Sequence, residues 1–140
     1  MTKVLEDNCL VQYRTIRKSD DDVYRYRLDI FSWNRTAGNS PTQLLAIINR
    51  PFQPEFATPV EADNTEESEE LNRLRQRAAR GGFCRLVVCS LFAARRPDTA
   101  DQVGPENDAE ILRAARDADM ILACWGPQAG DGRRRADTVT

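Results

Sequence analysis

Five residues stand where this chain could do chemistry: Asn49, Ser90, Arg95, Arg96 and Trp125, each at or just past the end of an apolar run. An amide, a hydroxyl, two guanidinium groups and an indole can bind and orient a ligand. They do not by themselves supply a general base near neutral pH. His is absent from all 140 residues. That excludes Ser–His and Cys–His nucleophile pairs, His general bases and His-ligated zinc together. Any reaction would have to run on Asp, Glu, Cys, Lys, Arg, Tyr or amides. Arginine suits phosphate or carboxylate because its planar fork meets two oxygens at once. Arg95 and Arg96 lie at the expected ligand edge. Arg73, Arg75, Arg77, Arg80 and Arg133 to Arg135 read as surface residues pairing with nearby acids. A plainer account of the same positions stays open: Asn49 caps a turn, Ser90 is a strand residue and Trp125 fills the core.

Cys9, Cys84, Cys89 and Cys124 show no close metal-ligand spacing, and each sits in or beside an apolar run. A free cysteine there behaves as a small hydrophobe. Reduced structural thiols are expected, with no metal site and no cofactor. The run Glu61, Asp63, Glu66, Glu67, Glu69 and Glu70 is the other conspicuous feature. It reads as the solvated start of a helix, or as an acidic surface (Glu66, Glu67, Glu69 and Glu70) that engages a basic partner or mimics phosphates. With 20 basic and 22 acidic residues the net charge is -2, which argues against a strongly basic nucleic-acid-binding module.

These residues must be positioned by elements, and the apolar pattern predicts which. Cys9, Val11, Tyr13 and Thr15 alternate with polar neighbours, as do Tyr24, Tyr26, Leu28 and Ile30, around the polar cluster Lys18 to Asp22. That spells a β-hairpin over 1–36, with Arg25, Arg27 and Asp29 on a face turned to water. Beyond Ala37-Gly38-Asn39-Ser40-Pro41, alternation gives way to continuous apolar blocks. Leu44 to Ile48 and Leu86 to Phe92 read as strands buried on both faces, and Met120 to Trp125 as the third strand. A helix opened by Asn64 with Glu67, packing on Leu71, Leu74 and Ala78, should end at Gly81-Gly82. A second should start near Pro105 and bury Ile111, Leu112, Ala115 and Ala118. The expected fold class is α/β: one domain over 1–140, an N-terminal β-hairpin plus a short parallel three-stranded βαβαβ sheet over 43–126, and a polar tail over 127–140. Ligands of such sheets bind beyond the carboxyl ends of the strands. No stretch approaches the roughly 18 apolar residues of a membrane span. The N-terminus has no apolar signal region, so no membrane association and a cytoplasmic location are expected.

Leu86-Val87-Val88-Cys89-Ser90-Leu91-Phe92-Ala93-Ala94-Arg95, Val103-Gly104-Pro105-Glu106-Asn107-Asp108 and Ala123-Cys124-Trp125-Gly126 resemble domain-of-unknown-function family 1643, an uncharacterised bacterial and phage family. The strand Tyr24-Arg25-Tyr26-Arg27-Leu28 fits its N-terminal region. The order of elements is similar to uracil-DNA glycosylases. The departures from the family pattern are specific. Its Leu-Asn-Pro-Ser-Thr-Ala motif is replaced by Ile48-Asn49-Arg50-Pro51-Phe52-Gln53-Pro54, which keeps only the Asn. Its Asn before Leu-Phe-Ala is Ser90 here, and its His-Pro-Leu-Tyr segment has no counterpart in a chain that reads as truncated at Thr140. In glycosylases those positions bind the base and stabilise its departure, so the resemblance implies weakened base-excision chemistry. The preferred reading is a non-catalytic binding or regulatory protein on a degraded enzyme-like scaffold, such as a phage-type inhibitor of a macromolecular partner. The alternative is a small nucleotide- or DNA-base-binding enzyme resembling a DNA glycosylase. A sheet ending after Trp125 leaves an unpaired edge, so self-association or a protein partner is expected. Nucleic acid stays open as a partner.

Overall fold

Leu44 to Ile48 lies at the centre of the parallel strands, and the rest of the α/β fold is arranged on its two sides. The structure, a computed structural model, describes residues 2–5, 10–34, 42–51, 69–96 and 98–125. In chain order the elements are β1 (Thr2–Leu5), β2 (Leu10–Lys18), β3 (Arg25–Asn34), β4 (Gln43–Ile48), α1 (Glu69–Arg80), β5 (Arg85–Ser90), α2 (Asn107–Asp117) and β6 (Met120–Cys124). They form one six-stranded sheet in the order β1-β2-β3-β5-β4-β6. β5 and β6 flank β4, and both run parallel to it. The two crossovers leave β4's neighbourhood in opposite directions, so crossovers of one hand must place their helices on opposite faces. They do. α1 sets Leu71, Leu74 and Ala78 on the face formed by Leu44, Ala46, Ile48, Leu86 and Val88. α2 sets Ile111 and Ala114 on Leu45, Ile47, Val87 and Cys89. β4 is therefore buried at every position, which is why its sequence is a block rather than an alternation.

The alternating segments form the antiparallel hairpin β2–β3, with Tyr13 opposite Phe31 and Ile16 opposite Leu28. Its turn is local side-chain chemistry: Ser19 Oγ donates to Asp21 Oδ1 at 2.7 Å, and Asp21 Oδ1 accepts the Val23 N–H at 3.1 Å. β3 pairs antiparallel with β5, Arg27 opposite Cys89 and Ile30 opposite Leu86, so the hairpin extends the sheet. β1, which the alternation does not announce, adds a further antiparallel strand against β2.

Two expectations need correction. The face of β3 bearing Arg25, Arg27 and Asp29 is not turned to water: Arg25 is fully buried and the other two are largely covered. β3 is an interior strand, and α2 packs against it. The buried face of α2 is Asn107, Glu110, Ile111 and Ala114, with Leu112 54% exposed. Arg17 and Arg113 hold the Glu110 carboxylate at 2.9 and 2.7 Å, which lets this acid turn inward in place of Leu112. β6 is the sheet edge among the described residues, in line with a sheet that ends after Trp125, and Met120 and Ile121 are half exposed there. The Asn64–Glu67 helix start, Cys9 and the tail 127–140 lie outside the described residues.

Gly81-Gly82 does end α1. The Phe83 N–H reaches back to Ala78 O at 2.9 Å and the Gly82 N–H to Ala79 O at 3.1 Å, with Gly82 at φ +79°. This is a Schellman cap, and it places Phe83 against the core. A β-carbon on Gly82 would meet nothing within 4 Å, so substitution there costs backbone energy alone. Gly82→Ala is expected to lower the unfolding free energy by about 1 kcal/mol and Gly82→Asn by less, measured by urea denaturation. Equal midpoints for Gly82→Ala and the parent would show that the cap is not held in this conformation.

Candidate functional site

β4 leads into α1 on one face of the sheet and its neighbour β5 into α2 on the other, so the chain leaves these two strands in opposite directions. A crevice at that switch point is where open parallel sheets hold ligands. Hydrogen bonds extend past the strand ends: the Leu91 N–H donates to Ile48 O at 2.8 Å and the Phe92 N–H to Asn49 O at 3.1 Å. Asn107, the first residue of α2, is fully buried and donates through Nδ2 to Ser90 O and Leu91 O at 2.9 and 3.1 Å. One amide nitrogen can satisfy two carbonyls in this way, which a hydroxyl cannot. Gly104, at φ +95°, lies on the stacked rings of Tyr24 and Tyr26. A β-carbon there would come within 2.9 Å of Tyr24 and 3.0 Å of Tyr26, so glycine is required for the loop to cross.

Four polar atoms at this edge are buried with no hydrogen-bond partner among the described residues: Ser90 Oγ, Tyr26 OH, Asn49 Oδ1 and Asn107 Oδ1. Ser90, Asn107 and Tyr26 are buried residues, and Asn49 is half-buried. Continuing the Arg27–Cys89 register by one residue brings Tyr26 beside Ser90. The Tyr26 oxygen lies near the Glu106 backbone amide without reaching hydrogen-bond geometry. Burial, with the negative charges of Glu106 and Asp101, pushes its phenol above the ordinary 10.0, so it stays a neutral donor. Leaving such an atom unpaired costs roughly 1–3 kcal/mol, and native structures leave few.

The residues singled out in the sequence meet different fates. Asn49 and Ser90 reach this edge together. Trp125 follows β6 and packs against the Leu45–Ile47 side of the core. Arg95 is committed elsewhere: its Nη1 sits 2.8 Å from Asp22 Oδ2, and the same carboxylate holds Arg25 at 2.5 and 2.8 Å. Arg96 is exposed, its carbonyl accepting from Gln102 Nε2 at 3.1 Å. Glu69 and Glu70 are exposed in the first turn of α1, Glu69 lying 3.5 Å from Arg73. Glu66 and Glu67 lie outside the described residues. Tyr26 and Asn107 went unnoticed as site residues. Tyr26 reads as one more packing position in an alternating strand, and Asn107 as an ordinary helix start.

Among the described residues, no three His, Cys, Asp or Glu side chains gather as a metal site. Cys84, Cys89 and Cys124 are free thiols, and burial pushes Cys89 up to about 12, leaving it unreactive near neutral pH. Among the same residues no helix is long and apolar enough to cross a membrane.

The fold and this edge define a class: a doubly wound α/β protein whose parallel strands end in buried, uncharged polar groups, with an antiparallel hairpin continuing the sheet. The chain belongs to the family described as protein of unknown function DUF1643, whose model matches residues 25–140. No curated protein and no solved structure matches the chain.

The Asp22 carboxylate that claims Arg95 has a pH signature. Burial works to raise its pKa, but the Arg25 hydrogen bond and the charges of Arg25, Arg95 and Lys18 outweigh this and hold it below 3.8. A carboxylate with a depressed folded pKa contributes fully above its unfolded value, and the contribution fades as pH falls through the folded one. Asn tolerates the φ of +62° at this position, so Asp22→Asn removes the charge and keeps the turn. Asp22→Asn is expected to cost about 2 kcal/mol at pH 7, with the gap to the parent closing below about pH 4, read by urea unfolding at several pH values. A gap independent of pH would show that the charge is not what binds these arginines.

Proposed function

We propose that the protein is a non-catalytic binding protein on an enzyme-like scaffold, which takes a neutral hydrogen-bonding ligand, a nucleobase or similar planar amide, at the carboxyl edge of β4 and β5. The observation that carries this reading is the set of Tyr26, Ser90, Asn49 and Asn107 atoms buried without partners among the described residues. All four are uncharged donors or acceptors, the complement of a heterocycle's edge. The carboxylates of Asp22 and Glu110 are each engaged by two arginines, so neither is poised as a general base. A serine hydroxyl without a base is not an activated nucleophile. Cleaving a glycosidic bond needs a positioned water and donors to the departing base, and losing one such donor typically costs about 10²–10³ in rate. Asn49 and Ser90 offer one hydrogen bond each, with no imidazole behind them.

A regulatory role fits the same reading, with a basic macromolecular partner engaged by the acidic stretch Glu66, Glu67, Glu69 and Glu70. The exposure of Glu69 and Glu70 at the start of α1 supports it. One observation favours the enzyme reading, a base-excising activity resembling a DNA glycosylase: Asn49 stands directly after β4, at the carboxyl end of the parallel strands.

Titration of the protein with free uracil and other nucleobases, followed by NMR, should show saturable binding that Ser90→Ala weakens by about tenfold, the worth of one hydrogen bond. A base-release assay on single- and double-stranded DNA should show no product. Release that Asn49→Ala abolishes would overturn the non-catalytic reading. Failure to bind any nucleobase would overturn the ligand class.

A further inference from the structure

We infer that the hairpin face beneath α2 carries a second ligand site, independent of the carboxyl edge, that binds a phosphate group. A cavity of about 670 Å³ opens there. Its lining includes four cations, Arg17, Lys18, Arg27 and Arg113, against two carboxylates, Asp29 and Asp117. The chain as a whole carries a net charge of -2, so this local surplus does not follow from composition.

Strand register creates the surplus. Arg17 stands directly opposite Arg27, and across a bulge at Tyr26 the next pair is Lys18 opposite Arg25. Like charges on facing positions of an antiparallel pair destabilise it, so two such pairs in succession need compensation. Compensation within the chain is uneven. Arg27 is matched by Asp29, which takes its Nε and Nη2 at 2.6 and 3.1 Å on separate oxygens. Asp22 serves Lys18, Arg25 and Arg95 together. Arg17 and Arg113 share one oxygen of one carboxylate, Glu110 Oε1, at 2.9 and 2.7 Å.

Two guanidinium groups thus converge on a single negative charge. Each gives only Nη1 to Glu110 among the described residues. Their side chains are 58% and 55% exposed, so the remaining donors of both forks are open to the cavity. Converging forks with donors to spare match the tetrahedral oxygens of a phosphate, which each guanidinium can meet in bidentate fashion. Asp29, Asp117 and Glu110 limit the net positive charge to about one unit. That suits a single phosphate group and argues against a broad polyanion surface. The shared chemistry is a phosphate monoester or diester, free or within a nucleic acid.

The test follows the arginine side-chain N–H resonances while inorganic phosphate is titrated at constant ionic strength with chloride. Arg17 and Arg113 should shift saturably. The Arg17→Gln/Arg113→Gln double variant should bind at least tenfold more weakly, its fold checked by circular dichroism. Glu110→Gln keeps an acceptor oxygen and removes the competing charge, so it should tighten phosphate binding severalfold. Ser90→Ala should leave phosphate binding unchanged, which separates this site from the carboxyl edge. Adenosine monophosphate and a short single-stranded oligonucleotide, used as competitors, distinguish the sources. Displacement first by either supports the site and names its ligand. Shifts that never saturate, an unchanged affinity in the double variant, or weaker binding by Glu110→Gln would overturn the inference.

Discussion

A guanidinium without solvent exposure, that of Arg25, sits where the antiparallel hairpin joins the parallel strands, and its neutralisation organises that end of the molecule. A buried cation left unpaired costs several kcal/mol. The partner is Asp22, three residues earlier, which reaches it only by turning the chain through φ +62°. The same carboxylate holds Arg95 beyond β5, while the Arg95 N–H donates to Val23 O and the Arg25 N–H to Ala93 O. The turn of the hairpin and the exit of β5 are therefore one unit. Ala93 and Ala94 in turn accept the returning chain, donating to Val103 O and Gln102 O. That sets Gly104 on the tyrosine pair and brings Asn107 under Ser90. The edge inherits its shape from the clamp.

Strand periodicity then divides the side chains between two faces. Leu28, Ile30, Leu86 and Val88 face the side covered by α1. Arg27 and Asp29 fall in phase with Cys89 and Val87, on the side covered by α2.

Much of the fold could be read from sequence because burial on both faces writes itself as a block. Leu44 to Ile48 and Leu86 to Cys89 carry no polar interruption, and their burial between two helical layers follows from that. The hairpin and the Gly81-Gly82 stop were legible from alternation and backbone chemistry. What escaped depends on contacts distant in sequence. Glu110 faces inward because Arg17, 93 residues earlier, meets it. Arg25 is buried because β5 pairs with β3, which alternation within the hairpin cannot reveal. That Met120 to Cys124 pairs with β4 and not with β5 was not legible either, since an apolar block states hydrophobicity and says nothing of strand order. At the site, Asn49 and Ser90 were visible as polar residues closing apolar runs. Arg95 misled, because a guanidinium suited to phosphate is equally suited to a carboxylate at a turn. Asn107 and Tyr26 were hidden by ordinary roles in helix and strand.

On the proposed function, the carboxyl edge keeps polar groups buried and unsatisfied until a ligand arrives. Such groups weaken the unliganded protein, so removing them should strengthen it. The most direct measurement is the unfolding free energy of the Tyr26→Phe/Ser90→Ala double variant, which deletes both hydroxyls and keeps the ring and the strand. The account predicts a more stable protein, by about 1–2 kcal/mol, that has lost its ligand. A double variant less stable than the parent would contradict it, by showing that these hydroxyls already have their partners within the fold.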